Sequence, residues 1–294
     1  MKTLHIDTGR QMHGGQWQAL YLMERLPNPM LLAPGQSELL AEVRQRGMDA
    51  QPFSMARLAL AARHADLVHA HDARAHMLAA VACHIPIVVS RRVAFPIGTG
   101  ALSRWKYGRA TLYIAVSQFV KGRLESAGIR PEKVRVVYDG VPIPTAACPK
   151  PGRIVALETK GGEMIRAAAR IAGVRVHFTS RLWDDLAAAA LFVYVSKMEG
   201  LGSAAIAAAA AGVPVIASGV GGLPEAVEHD RTGLIVPNRA EKLAQAILRL
   251  VNDPQAAQEM GTRGRMRAIE KFSVEAMVAG TRYVYQEAAG CSSS

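Results

Sequence analysis

The stretch SKMEGLGSAAIAAAAAGVPVIAS, Ser196 to Ser218, sets a carboxylate beside a glycine turn, then a nearly all-alanine run, then a short β-branched segment. Alanine is the best helix former and has almost no bulk, so the run predicts a helix pressed tightly against a sheet. Gly200 and Gly202 let a backbone approach a ligand closely, and Ser203 is placed to cap the helix. The unpaired N–H groups of such a helix start favour an anion. The two oxygens of Glu199 suit hydrogen bonds from hydroxyl groups. Alone, the stretch reads equally as a ligand loop or as a packing helix beside a solvated glutamate.

Its surroundings alternate strand and helix. Downstream come the strand PVIAS, the helix GLPEAVEHD, a short GLIVP and the helix AEKLAQAILRLVND. Upstream are the strand IVAL, the helix GEMIRAAARIA, the strand VRVHFTS, the helix LWDDLAAAA and the strand LFVYVS. The first half shows the same rhythm, with strands at TLHID, MLLAP, DLVHAH, IPIVVS, TLYIAVS and KVRVVYDG separated by helical spacing. GVPIPTAACPKPGR, Gly140 to Arg153, has four prolines and little periodicity and is the best linker. The reading is α/β: two doubly wound, Rossmann-like parallel sheets, whose ligands bind beyond the carboxyl ends of the strands.

Composition narrows the class. Half of the 294 residues are hydrophobic, yet glycines and Pro214 break the longest uncharged run, so no membrane-spanning helix is expected. The start MKTLHIDTGRQMHGG lacks an apolar core, and no secretory signal is expected. Cys83, Cys148 and Cys291 are far apart and form no CxxC, which argues for a reducing cytoplasm. The net charge is +11, and residues 1–145 hold 18 Lys and Arg against 10 Asp and Glu. Such a bias draws phosphorylated ligands or an anionic membrane; aromatics at 5% without an RNA-binding grouping argue against nucleic acid.

Residues just after strands are the candidates for chemistry. Gly14 and Gly15 in HGGQ lie between a strand and a helix, where backbone N–H groups collect. In LVHAHDARAHM, His71 stands at a strand exit, where it serves as a hydrogen-bond donor or proton carrier, or else merely flanks a helix capped by Asp72. His69, His71 and His76 do not match a zinc pattern, and no metal is expected. No GxGxxG or Walker A loop occurs, which disfavours a dinucleotide enzyme.

YVSKMEGLGSAAIAAAAAGVPVIASGVGGLPEAVEHDRTGLIVP resembles the donor-site signature of GT-B retaining glycosyltransferases of family 4, the glycosyl transferases group 1. HIDTGRQMHGGQWQAL, DLVHAHDARAH, YIAVSQFVKGRL and VRVVYDGV follow the same family's order, and FSVEAMVAGTRYVYQEA resembles its closing segment. The resemblance implies an acceptor domain (residues 1–145) and a nucleotide-sugar donor domain (146–270) facing a cleft, with a last helix (271–294) crossing back. It implies that His71 and Glu199 contact the transferred sugar, and that Gly14 and Gly15 line the cleft by the donor phosphates. Lys160 would neutralise the diphosphate leaving group, with Gly200, Leu201, Gly202 and Ser203 beside it. Such enzymes need no bound metal or other cofactor. The basic stretch with Arg91, Arg92, Arg104, Lys106 and Arg109, interleaved with Phe95, Trp105 and Tyr107, would meet a glycan or lipid-linked acceptor or the inner face of the cytoplasmic membrane.

Three departures mark a shortened, divergent member. Ala207 stands where the family has a second glutamate that holds the ribose; Leu157 and Glu158 stand where an arginine usually precedes the lysine; and only one helix fits between Lys160 and Arg175. They motivate a rival expectation, a non-catalytic glycosyltransferase-like protein that binds a glycan or a partner enzyme.

Overall fold

Runs such as TLHI (Thr3–Ile6), LVHA (Leu67–Ala70) and LFVY (Leu191–Tyr194) are buried at every position, as strands covered on both faces must be. The computed structural model describes residues 1–98 and 100–290 and builds these runs into two parallel sheets, so Cys291 lies outside the described residues. Contacts divide the chain into two units: Met1–Gly140 with the chain from Met277 onward, and Val141–Ala276.

Unit 1 has seven strands: β1 (Thr3–Ile6), β2 (Met30–Ala33), β3 (Asp49–Pro52), β4 (Leu67–Ala70), β5 (Ile87–Arg91), β6 (Leu112–Ala115) and β7 (Val134–Val136). Their order is β3-β2-β1-β4-β5-β6-β7. β1 pairs with both β2 and β4, so the order of strands reverses across the sheet at this switch, the position where sheets of this kind bind ligands. Leu20, Met23, Leu31, Leu39 and Val43 form a core on one side.

Unit 2 has five strands: β8 (Ile154–Leu157), β9 (Val176–Thr179), β10 (Leu191–Tyr194), β11 (Val215–Ser218) and β12 (Gly233–Val236). Their order is β12-β11-β10-β8-β9, with the switch between β8 and β10. The helices Gly162–Ala172 and Ala240–Asn252 pack together over the core of Ile165, Val193, Ile216 and Ile247. Between β8 and β9 the chain makes the single helix its spacing predicts. The proline-rich segment makes little regular structure, but Ala147, Cys148 and Lys150 donate backbone bonds into unit 2.

Three elements depart from the sequence reading. β3, the sequence DAQP, has neither alternation nor β-branched residues; as an edge strand it tolerates its proline. The helix Ala101–Arg109 buries no residue and so leaves no apolar stripe to read. The polar helix Pro254–Lys271 hides its packing in Gly261, where a Cβ would sit 2.1 Å from the Gly212 carbonyl oxygen. The last helix, Val274–Gly290, places Tyr285 and Glu287 against unit 1, where Glu287 pairs with Arg135.

Candidate functional site

At the switch of unit 1, β1 and β4 lie in parallel register with His5 opposite His69. Side chains two residues apart share a face, so His71 joins them. All three rings are buried. His69 and His71 have ring centroids 4.1 Å apart, and His5 stacks on His71 at 5.3 Å.

The hydrogen bonds fix where the protons sit. Arg92 Nη1 lies 3.4 Å from His71 Nδ1, and a guanidinium can only donate. His71 Nδ1 therefore accepts, and its proton sits on Nε2, 3.0 Å from His5 Nδ1. His5 in turn donates through Nε2 to Thr3 Oγ1 at 3.1 Å. A one-way chain thus runs Arg92 to His71 to His5 to Thr3. His69 is held by the Tyr285 hydroxyl at 2.6 Å and the Ser90 hydroxyl at 2.7 Å.

Burial lowers the basicity of all these imidazoles: His5 falls to about 3, and His69 and His71 lie well below the usual histidine range, the neighbouring rings and Arg92 adding to the effect. His71 is therefore a neutral hydrogen-bonding group near pH 7, with its one proton on Nε2 given to His5. The three ligand nitrogens lie within 4.8 Å of one another, close enough for a metal ion. Their bonds to one another, Thr3, Ser90 and Tyr285 satisfy them without one, and the cluster includes no carboxylate.

Around this cluster the strand exits converge. Asp72 caps the helix Ala73–Ala82 through the N–H groups of Arg74 and Ala75, and its carboxylate also accepts from Thr8. The Asp7 carboxylate accepts from Gln16 and from the Gly9 N–H; burial, then the Asp72 charge, raises its pKa. Gly14 and Gly15 open the helix Gly14–Met23, and a Cβ on Gly15 would lie 3.8 Å from Arg92 Cδ. A cavity of about 790 Å³ lies at the opposite end of this sheet, lined by Lys2, Met30, Arg57 and His64 among others, away from every strand exit.

The basic stretch splits. Arg92 is mostly buried and pairs with Asp139 at 3.1 Å, so it belongs to the histidine cluster and not to a basic surface. Arg91 donates to the Phe95 carbonyl at 2.6 Å, and Arg109 donates to the carbonyls of Ala80 and Cys83. Arg104 is exposed, and the Lys106 amine sits 4.9 Å from the centre of the Tyr107 ring. Near them Phe95, Leu102 and Trp105 are exposed.

At the switch of unit 2, β8 leads to Lys160 and β10 leads to Glu199. The Lys160 amine and the Tyr194 hydroxyl, the latter at 3.0 Å, both donate to Glu199 Oε1. The turn holding Glu199 is clamped by the next one. Gly222 N–H donates to the Glu199 carbonyl at 3.2 Å, and a Cβ on Gly221, whose φ is +58°, would fall 2.0 Å from that oxygen. Ser218 and Asn238, at the ends of β11 and β12, bond to Ser196 and fix the start of the loop.

The expected cap is displaced by one position. Gly202 is the N-cap of the helix Ser203–Ala210, at φ +100° where a side chain is strained, and Ser203 is the first helical residue and caps nothing. Leu201 is buried, as is Ala207 on the packed face of that helix. Glu158 is held by both Nη atoms of Arg166, a cation that reaches the β8 exit from the following helix.

Sequence reasoning missed His5, Thr8 and Tyr194, while Asp139 was legible only as a strand-end residue. The signal for His5 was available in the alternation of HID and HAH at two strand ends, which puts like residues on one face.

Residues 163–267 match the family model of glycosyl transferases group 1, and residues 25–143 match that of glycosyltransferase family 4. Alpha-maltose-1-phosphate synthase of Mycolicibacterium smegmatis is 40% identical over 116 residues, 37% of this chain and 30% of that protein. The GDP-mannose-dependent alpha-(1-6)-phosphatidylinositol monomannoside mannosyltransferase of Mycobacterium tuberculosis is 48% identical over 69 residues, 23% and 18% of the two chains. The chain thus spans less than a third of the length of these curated relatives.

In fold it is similar to HepE of Anabaena, solved with UDP-glucose, at TM-score 0.85 and 18% identity over 98% of this chain and all of that one. It is also similar to the lipopolysaccharide outer core galactosyltransferase WaaB, at TM-score 0.74 and 15% identity over 96% and 98% of the chains. Two family models matched in order, one in each unit, on two switch-point parallel sheets of this architecture, place the chain among the GT-B glycosyltransferases of family 4, the glycosyl transferases group 1.

Proposed function

We propose that this chain is a glycosyltransferase that moves a sugar from a nucleotide-sugar donor to a cell-envelope glycan or lipid-linked acceptor, with retention of configuration. The observation that carries the reading is in unit 2, where Lys160 and Glu199 meet at the sheet's switch, beside the glycine-capped start of the helix Ser203–Ala210. A cation and free helix N–H groups suit a diphosphate, and a carboxylate suits sugar hydroxyls. As the glycosidic bond breaks, charge grows on the diphosphate, and a fixed cation with oriented N–H groups stabilises it without reorganising. No metal is assigned to this step.

Acceptor binding is assigned to unit 1. Residues 73–124 contain eight Lys and Arg and no Asp or Glu. Within them the helix Ala101–Arg109 exposes Leu102 and Trp105 beside Arg104 and Arg109, chemistry suited to an anionic, lipid-rich surface. No described helix is long and apolar enough to cross a membrane. We place the enzyme in the cytoplasm at the inner face of the membrane. Within unit 1 we assign a sugar-hydroxyl contact to His71, neutral and bonded to His5, through Nδ1, which holds only the long 3.4 Å contact with Arg92.

Purified protein given a panel of nucleotide sugars, including UDP-glucose and GDP-mannose, with membrane extract as acceptor, should release nucleoside diphosphate. No release from any member of the panel refutes the proposal. Buried Ala207 favours one rival, a non-catalytic glycan- or partner-binding protein. Calorimetry separates them: nucleoside diphosphate binding that vanishes in Lys160→Ala supports the enzyme, and no binding up to millimolar concentration supports the rival.

A further inference from the structure

Tyr194 ends β10, is 3% exposed, and gives its hydroxyl proton to Glu199 Oε1 at 3.0 Å. Burial, then the Glu199 charge, hold the phenol well above its usual range, so it remains a donor. Lys160 donates to the same oxygen. Oε2 receives no hydrogen bond from the described residues, and the Glu199 side chain keeps 13% of its surface exposed. Each carboxylate oxygen has two acceptor sites, so two donors on Oε1 fill one oxygen and leave the other free. The Glu199 backbone is fixed separately by Gly221 and Gly222, which leaves its side-chain torsions to these two donors.

The donors differ in what a ligand does to them. A diphosphate carries more charge than one carboxylate and offers more oxygens, so it competes for the Lys160 amine. It has nothing to offer a buried phenol that could match the contact with Glu199. We infer that Tyr194 is a positioning residue: it keeps Glu199 aimed, with Oε2 free for a sugar hydroxyl, after the diphosphate has drawn Lys160 away. The Lys160–Glu199 pair is then the ligand-free arrangement, and Tyr194 is what preserves the carboxylate when that pair opens. The inference rests on the donor reading of unit 2, and it assigns a division of labour: Lys160 answers to the diphosphate, Tyr194 to the sugar.

Isothermal titration with UDP, GDP, UDP-glucose and GDP-mannose tests it on the full chain, wild type and Tyr194→Phe. The expected result is diphosphate affinity within about twofold of wild type, and about five- to twentyfold weaker binding of the matching sugar nucleotide, as for a lost hydrogen bond to a charged group. In a Glu199→Ala background the same substitution should change sugar-nucleotide binding less than about twofold, because nothing remains to be aimed.

Equal weakening of both ligands, no change in either, or penalties of Tyr194→Phe and Glu199→Ala that multiply would each overturn the inference while leaving the donor reading intact. A wild-type chain that binds none of the four probes overturns the donor reading and this inference with it. Should Tyr194→Phe melt early, Lys160→Met replaces it. The diphosphate should then bind weakly while the sugar keeps its added affinity, and loss of that increment overturns the role given to Tyr194.

Discussion

Lowering the pH from 7.5 to 5 should unfold unit 1 selectively, because four histidines there are buried in neutral form. His5 is held at about 3 and His76 at about 4, and His69 and His71 are well below the ordinary value, burial being the leading cause in each case. The sign follows from proton counts. A histidine whose folded pKa is depressed binds fewer protons folded than unfolded, so its contribution is complete above about pH 6.5 and is lost as pH falls below that. With an unfolded pKa of 6.5, His5 and His76 each lose about 2 kcal/mol by pH 5.

His5 and His76 together cost about 4 kcal/mol, a large part of the stability of an ordinary domain, and His69 and His71 act in the same direction. Asp7 and Asp139 work the other way: burial raises both, so they give stability back as pH falls, but only near and below their own raised values. Hydrogen exchange read on peptides covering Thr3–Ile6 and Leu67–Ala70 should lose protection steeply between pH 6.5 and 5, while a peptide covering Leu191–Tyr194 in unit 2 changes much less. Parallel loss in the two units, or a slope below about 1.4 kcal/mol per pH unit in unit 1, the response of one histidine, would refute the reasoning.

Tyr285→Phe removes the hydroxyl bonded to His69 and leaves a buried ring nitrogen without its partner. It should cost about 1–3 kcal/mol, seen as a melting temperature lower by several degrees, and an unchanged melt would show that water fills the gap. Gly221→Ala drives a Cβ to within 2.0 Å of the Glu199 carbonyl at a left-handed φ, so it should displace the Glu199 turn and weaken sugar-nucleotide binding at least tenfold; binding as tight as wild type would mean the turn gives way without cost.

Alternation of strand and helix and the glycine turns at strand ends are local properties, and they were enough to read two doubly wound parallel sheets; the strand order that sets each switch is not local and comes from the structure. Gly200, Gly202, Lys160 and Glu199 were legible because each follows a strand. What distinguishes Arg92 from Arg91 was not: adjacent strand-end residues point to opposite faces, and only the sheet shows which one meets His71 and Asp139. The helix Ala101–Arg109 was hidden because it buries no residue, and its half-buried face, Ser103, Lys106 and Tyr107, is too polar to read as an apolar stripe. Tyr194 was hidden for the opposite reason. A buried aromatic at the end of an apolar strand reads as core, and the hydroxyl that reaches Glu199 has no signature in sequence.

The alanine run that made the fold legible also limits what the donor unit can do. Ala205 to Ala210 are all buried, so the helix is seated by contacts that only small side chains allow. A glutamate at 207 would need an opening on that face, and the chain has filled it. Losing a charged hydrogen bond to ribose weakens binding by about 1.5–3 kcal/mol, roughly ten- to hundredfold. On the proposed donor reading, Lys160, the helix N–H groups and Glu199 would recognise phosphate and sugar rather than the base. On that reading affinity in unit 2 would rest on the diphosphate and on how well Glu199 is aimed, which is where the phenol of Tyr194, which leaves the charge balance unchanged, would matter.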